Sequence, residues 1–381
     1  MKNPFEQKCV MIIAGEASGD LHGSNLVYAM RRKCSSIFFC GIGGERLKDS
    51  GVRILFDAAK LSVVGITEVI SKLPTILKGM NISKNTLKIL KPDLLILIDF
   101  PDFNFVVASY AKKLNIPVLY YISPQVWAWR QGRVKKIRKL VDHLAVILPF
   151  EASFFKKHDV PVTFVGHPLL DHLSLEPIKK IPQIVSAIGL LPGSRNSEIK
   201  KLLPTMIETA EVLTKRIGNI KFILSVSPTV DRLYVEKIIN TYQKESVIEI
   251  STDNVYEVFK RSIMVIAASG TVTLEAAIAC IPTVIIYKVS SLSYFLGKAL
   301  IKVNFIGLIN LIAGEEIFPE LLQKEATPEN ISEIVYKMIS TPSTLNQIKD
   351  KLFNARKLLG EPGASNRTAD IAINMLEGMK I

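Results

Sequence analysis

The stretch Ile263-Met-Val-Ile-Ala-Ala-Ser269-Gly-Thr271-Val-Thr-Leu-Glu275-Ala-Ala-Ile-Ala-Cys280-Ile-Pro282 decides how the rest of the chain is read. Its first seven residues form an unbroken apolar run of the kind a buried parallel strand needs. Gly270-Thr271 is the turn, and Val272 to Cys280 is a helix stopped before Pro282. A helix that begins just past a strand end points unpaired N–H groups and its positive dipole end into the crevice above the sheet. Ser269, Gly270 and Thr271 are small enough to let a diphosphate approach. Glu275 follows about one turn in, where a carboxylate can accept both hydroxyls of a ribose. The pattern suits a nucleotide-sugar pocket. An ordinary strand–helix unit with an exposed glutamate fits this stretch equally well on its own.

Working outward, 381 residues exceed one small core and suit two α/β domains. With 48% hydrophobic and 22% charged residues the chain is globular rather than disordered. The net charge of +13 (48 basic minus 35 acidic) calls for an anionic partner: nucleic acid, an acidic leaflet or a phosphorylated substrate. Cys9, Cys34, Cys40 and Cys280 form no CxxC pair, which suits packed, reduced thiols in a cytosolic compartment and no zinc site. The apolar run Cys9–Ala14 is too short for a signal-peptide core. The longest apolar region, 263–287, carries Gly270, Glu275 and Pro282, which argues against a membrane span. A soluble or peripheral protein is expected.

From the N-terminus, the strand Val10–Ala14 runs into Gly15-Glu-Ala-Ser18-Gly19-Asp20 and then a helix to about Lys33. The spacing departs from the dinucleotide GxGxxG. A turn whose N–H groups meet a phosphate or sugar hydroxyl, or a tight turn capped by Ser18 or Asp20, both fit. A second strand, Ile37–Gly41, leads into a close-approach turn at Gly41–Gly44. Across Leu61–Leu90, Val64, Ile66, Val69, Ile70, Leu73, Ile76 and Leu77 are interspersed with lysines, as in a helix lying in a membrane interface. A core-facing helix pair is the alternative, and Pro74 should break or kink it. Pro92–Asp99 is a buried strand ending in an acid. Burial there raises a carboxyl pKa and makes Asp99 a suitable general base, with Asp102 as its orienting partner or as an N-cap. Ser123-Pro-Gln125-Val-Trp127-Ala-Trp129-Arg130 precedes Arg133, Lys135, Lys136, Arg138 and Lys139, which suit a nucleic-acid patch, an anionic-lipid patch, a clamp for a substrate phosphate or simply a solvated basic helix.

Asp171–Pro182 reads as a linker, and after it a second α/β series begins at Val185. Its first turn, Pro192-Gly193-Ser194-Arg195, sets an arginine at a strand mouth. There it can clamp a diphosphate or pair with Glu198. Expected domains are 1–172, 183–363, and a C-terminal helix over 364–381 packing on the first.

Seven motifs, in order along nearly the whole chain, carry a resemblance. They are Ala14-Gly-Glu-Ala-Ser-Gly-Asp20, Asp99-Phe-Pro-Asp-Phe-Asn104, Ser123-Pro-Gln-Val-Trp-Ala-Trp-Arg130, Gly166-His-Pro-Leu169, Leu191-Pro-Gly-Ser-Arg195, Ser269-Gly-Thr271 with Glu275, and Asn310 with Pro319-Glu-Leu-Leu-Gln323. Together they resemble the lipid-A-disaccharide synthase family, departing at Ile309, where proline is expected. The resemblance implies a GT-B glycosyltransferase: two Rossmann-like domains with parallel sheets facing a central cleft, and C-terminal helices that cross back or exchange in a homodimer. It implies an inverting reaction that joins UDP-2,3-diacylglucosamine to 2,3-diacylglucosamine 1-phosphate, giving a β-1′,6-linked disaccharide and UDP. The setting is cytoplasmic, peripheral on the inner face of a Gram-negative inner membrane.

By the same resemblance Asp99 is the base, Arg195 a diphosphate contact, and Ser269, Gly270, Thr271, Glu275 and Asn310 the UDP pocket, with Gly193 and Ser194 beside them. Gly15, Ser18, Gly19, Asp20, Asp102, Gln125, Trp127 and Arg130 are expected at the acceptor, and the 64–77 residues at its acyl chains or the membrane. No metal or other cofactor and no nucleic acid is expected; the partners are lipid substrates and an anionic surface. A UDP-N-acetylglucosamine 2-epimerase, or another GT-B enzyme with a soluble substrate, would share the 269–275 pocket without needing the apolar stretch. A basic nucleic-acid-binding protein would need neither.

Overall fold

The computed structural model describes residues 7–60, 66–129, 131–172, 177–178, 187–242, 248–288 and 303–379. The chain divides into two units. Unit 1 is Met1–His172 with Leu359–Ile381, and unit 2 is Leu173–Leu358. The second stretch of unit 1 begins at Leu359.

Unit 1 holds seven parallel strands: β1 Cys9–Ala14, β2 Phe38–Gly43, β3 Arg53–Asp57, β4 Leu94–Ile98, β5 Val118–Tyr121, β6 His143–Val146 and β7 Val162–Phe164, in the order β3-β2-β1-β4-β5-β6-β7. Alternate residues of each strand serve opposite faces, because successive Cβ atoms point to opposite sides of a sheet. Met11, Ile13, Leu95, Leu97 and Tyr120 join one core, whereas Val10, Ile12, Leu94, Ile96 and Leu119 join the other. Helices cover both faces, which is why the strands read as continuous apolar runs. The second core includes residues of the terminal helix Ala364–Glu377. Asp171 secures that helix by accepting the backbone N–H groups of Gly363, Ala364 and Ser365 at 2.6, 3.0 and 2.9 Å.

Several local expectations are corrected here. The strand expected to stop at Gly41 continues to Gly43. A Cβ at Gly41 would stand 1.8 Å from the Ile12 carbonyl oxygen, so the close approach is to β1 rather than to a ligand. Pro74 does not break its helix, which spans Ile66–Leu90. One face of that helix is core, with Ser83 and Leu87 fully buried and Ile76 and Met80 packed against the cluster. Leu73 and Leu77, one turn apart, are about half exposed. The short edge strand β3, with its apolar run Ile54-Leu55-Phe56, was not among the expected strands. Val64 and Arg130, and the side chains of Ile66, Val69 and Ile70, lie outside the described residues, as does the helix expected from Leu292.

Unit 2 repeats the architecture with β8 Ala187–Leu191, β9 Lys221–Ser225, β10 Ile248–Ser251, β11 Ser262–Ala268, β12 Thr283–Tyr287 and β13 Glu320–Leu322, in the order β10-β9-β8-β11-β12-β13. In each unit the chain builds outward from its first strand and then restarts on that strand's other side. The reversal falls between β1 and β4 in unit 1 and between β8 and β11 in unit 2. Loops leaving adjacent strands in opposite directions open a crevice at such a point, and ligands of open parallel sheets bind there. Among the described residues no helix is long and apolar enough to cross a membrane.

Candidate active site

At the unit 1 reversal, β4 runs directly into Asp99. Asp99 and Phe100 both adopt left-handed backbone conformations, φ 45° and 49°. For side chains with a Cβ this costs of order 1–3 kcal/mol per residue and persists only where the surroundings enforce it. Three contacts do so. Asn104 Nδ2 and the Tyr120 hydroxyl each donate to the Asp99 carbonyl oxygen at 2.6 Å. The Phe100 ring lies over Gly15, where a Cβ would come within 2.3 Å of the ring, and sits 5.3 Å from the Phe103 centroid. Gly15 is therefore a seat for Phe100. Burial, then the neighbouring charge of Glu16, pushes the Asp99 carboxyl up to about 6, against the pull of the Phe100 N–H. The result is a carboxylate that is largely ionised at neutral pH yet more basic than an ordinary aspartate.

The remaining acceptor-side residues divide. Ser18 and Gln125 are exposed. Asp20 is buried, and its carboxylate accepts the N–H groups of Gly44, Arg46 and Leu47 at 2.6, 3.1 and 3.3 Å. It caps the following helix, Glu45–Asp49, rather than its own; neither it nor Ser18 caps the helix Ala17–Lys33, whose N-cap is Glu16. Gly19 packs on Ala14 and Ile98. Asp102 forms a 2.7 Å ion pair with Arg133. Trp127 is buried: its Nε1 donates to Glu151 Oε1 at 2.9 Å and its ring meets Phe150 edge-on. Ser123 Oγ donates to the same Glu151 oxygen at 2.8 Å. Burial pushes the Glu151 carboxyl up to about 7 in spite of these hydrogen bonds. Asp20, Gly19 and Trp127 thus take part in the framework of unit 1.

At the unit 2 reversal a cavity of about 630 Å³ opens at the C-terminal ends of β8 to β11. Gly193, Ser194, Arg195, Ser269, Gly270, Thr271 and Glu275 all line it. Gly193 has φ 110°, and a Cβ there would collide with the Glu198 carboxylate. Glu198 draws the turn tight, accepting the Ser194 N–H at 3.0 Å and Arg195 Nη1 at 3.1 Å. That ion pair is half-exposed, so exchanging Glu198 for a ligand phosphate costs Arg195 little. Across the cavity, the helix Thr271–Ile278 has no side-chain cap at Gly270, and nothing lies within 4 Å of a Cβ placed there. The Thr273 N–H is bonded to Gly270 O at 3.1 Å, which leaves Thr271 and Val272 at the dipole end to meet an anion. Glu275 is held above the ordinary carboxylate range by burial.

Asn310 does not join this cavity. It is fully buried, with Nδ2 donating to Phe318 O and Glu320 Oε1 at 2.7 and 2.8 Å and Oδ1 accepting Ile317 and Phe318 N–H groups, both at 2.9 Å. All four of its side-chain hydrogen-bonding positions are taken within the chain. Sequence reading missed the lining supplied by Ser225–Pro228 and Thr252–Val255. The signal was available: these residues follow β9 and β10 at the same end of the sheet.

The family model for lipid-A-disaccharide synthetase matches residues 10–374. The lipid-A-disaccharide synthase of Syntrophus aciditrophicus is 44% identical over 380 residues, covering 98% of this chain and 99% of that protein. That of Coxiella burnetii is 39% identical over 385 residues, covering 98% and 100%. Solved structures with similar folds include the glycosyltransferase of kitacinnamycin, with a TM-score of 0.64 at 12% identity over 98% of this chain and 100% of that one. Another is the UDP-GlcNAc 2-epimerase of Neisseria meningitidis bound to UDP-GlcNAc, with a TM-score of 0.63 at 13% identity over 96% and 100%. At such identities these last two establish the two-Rossmann GT-B-like fold alone, so the epimerase alternative gains nothing beyond it. Sequence identity along nearly the whole length is what decides: the chain belongs to the lipid-A-disaccharide synthase family of glycosyltransferases.

Proposed function

We propose that Asp99 takes the proton from the acceptor hydroxyl of 2,3-diacylglucosamine 1-phosphate while unit 2 holds UDP-2,3-diacylglucosamine by its nucleotide. The oxygen attacks the anomeric carbon, the bond to the diphosphate breaks, and the configuration inverts. UDP leaves carrying the electron pair. Its charge is met by Arg195 and by the open N–H groups beginning at Thr271, without a bound metal. Glu275 accepts the ribose hydroxyls. Gln125 and Ser18, both exposed, contact the acceptor. The observation that carries this reading is the pairing of residue type with topology: a half-buried, strained acid at one strand reversal and an uncapped, glycine-lined cavity at the other.

The enzyme works as a peripheral protein on the cytoplasmic face of the inner membrane. Support comes from the half-exposed Leu73 and Leu77 and from the exposed Lys135, Arg138 and Lys139 on the helix Val134–Leu140. A homodimer is compatible with this placement. Mass analysis of the lipid formed from the two substrates tests the proposal directly. A tetraacyl disaccharide 1-phosphate is expected; release of UDP without a disaccharide would overturn it.

A further inference from the structure

Asn104 and Tyr120 have no part in the scheme so far, yet both converge on one atom, the Asp99 carbonyl oxygen. Both are fully buried, so neither meets a substrate. Asn104 leaves its own Oδ1 buried with no hydrogen-bond partner among the described residues. Turning the amide over would set that oxygen against the Asp99 carbonyl, so the orphaned acceptor is the cost of keeping the donor where it is. The Tyr120 hydroxyl arrives from the neighbouring strand β5 and the Asn104 amide from the helix Pro101–Lys113. Two separate elements therefore hold the carbonyl of a residue whose backbone is in an unfavourable conformation.

We propose that Asn104 and Tyr120 are positioning residues, which clamp the Asp99 carbonyl so that the backbone stays left-handed and the carboxyl stays fixed in its partly buried seat beside Glu16. The inference rests on Asp99 being the base. Without the clamp the turn at Asp99–Phe100 relaxes and the carboxylate swings toward water. Its affinity for a proton then falls, and it no longer meets the acceptor hydroxyl in one geometry.

The test uses the full-length enzyme with both lipid substrates. Tyr120→Phe keeps the ring and removes only the hydroxyl; Asn104→Ala is the harsher companion, and UDP affinity reports whether each variant retains an intact unit 2. For Tyr120→Phe, kcat should fall about tenfold with the donor KM within about twofold, and the acid limb of the kcat profile should move to lower pH. In an Asp99→Asn background the same change should cost nothing further. Unchanged kcat in Tyr120→Phe, or a lowered kcat with the acid limb unmoved, would overturn the proposal while leaving the base in place. Substantial turnover in Asp99→Asn alone would remove the base itself, and the clamp's function with it.

Discussion

The two strand reversals occupy the same place in two sheets of the same topology, and they are furnished in opposite ways. In unit 1 the glycine after the first strand, Gly15, is covered by the Phe100 ring, and the neighbouring strand ends in two left-handed residues pinned from two sides. In unit 2 the counterpart of Gly15 is Gly193 after β8, closed off by Glu198, but the restarting strand β11 runs into Gly270, which faces open space at a cavity of about 630 Å³. A group that must exchange a proton with a moving partner gains from being held rigid. A group that must receive a nucleotide gains from room and unspent N–H donors.

The largest effect that sharpens this contrast belongs to Asp99→Asn, which should reduce turnover by about 10³-fold or more while UDP affinity, measured by calorimetry, stays within twofold. The same variant has a stability signature. With the folded carboxyl near 6, the protein is relatively favoured at low pH and loses that contribution as pH rises through 6. Asparagine escapes the loss, so at pH 8 thermal unfolding should show the variant more stable, by at most about 3 kcal/mol, with the difference gone below about pH 4. Wild-type kcat should correspondingly rise with pH through about 6.

Next in size, Asn310→Ala should destabilise unit 2 by about 3 kcal/mol, because it leaves buried partners unsatisfied. UDP affinity measured below the new melting temperature should survive; its selective loss would return Asn310 to the nucleotide site. Gly15→Ala should cost about 1–3 kcal/mol through collision with Phe100. Gly270→Ala should leave the melting temperature unchanged and raise the donor KM several-fold, so that equal stability losses in the two glycine variants would abolish the distinction drawn between the crevices. Arg195→Ala should weaken both donor binding and turnover about tenfold with stability altered by less than about 1 kcal/mol, as for any exposed ion pair. Smallest of all, excess chelator should leave turnover unchanged if Arg195 and the helix start at Thr271 carry the leaving charge.

Reading from sequence succeeded where the signal is local. The strand ending in Asp99, the glycine turn at 193–195 and the helix start at 270–271 are each written in a few consecutive residues, and strand ends in parallel sheets face ligands by topology. It is silent where a polar residue's partner is distant in the chain. Asp20 gives its oxygens to Gly44, Arg46 and Leu47, and Trp127 its N–H to Glu151, none of them adjacent in sequence. Asn310 is likewise bonded to Phe318 and Glu320, which follow it more closely.

What the sequence by itself determined is the doubly wound pair of sheets, the acid at one reversal, the anion-ready helix at the other, and the family. Hydrophobic periodicity and glycine placement act over a few residues and need no distant partner to be legible. Tertiary structure alone decided which polar side chains are free to meet a substrate and which are spent on the framework. A carboxylate or amide has a fixed number of hydrogen-bonding positions, and only the folded chain shows who occupies them.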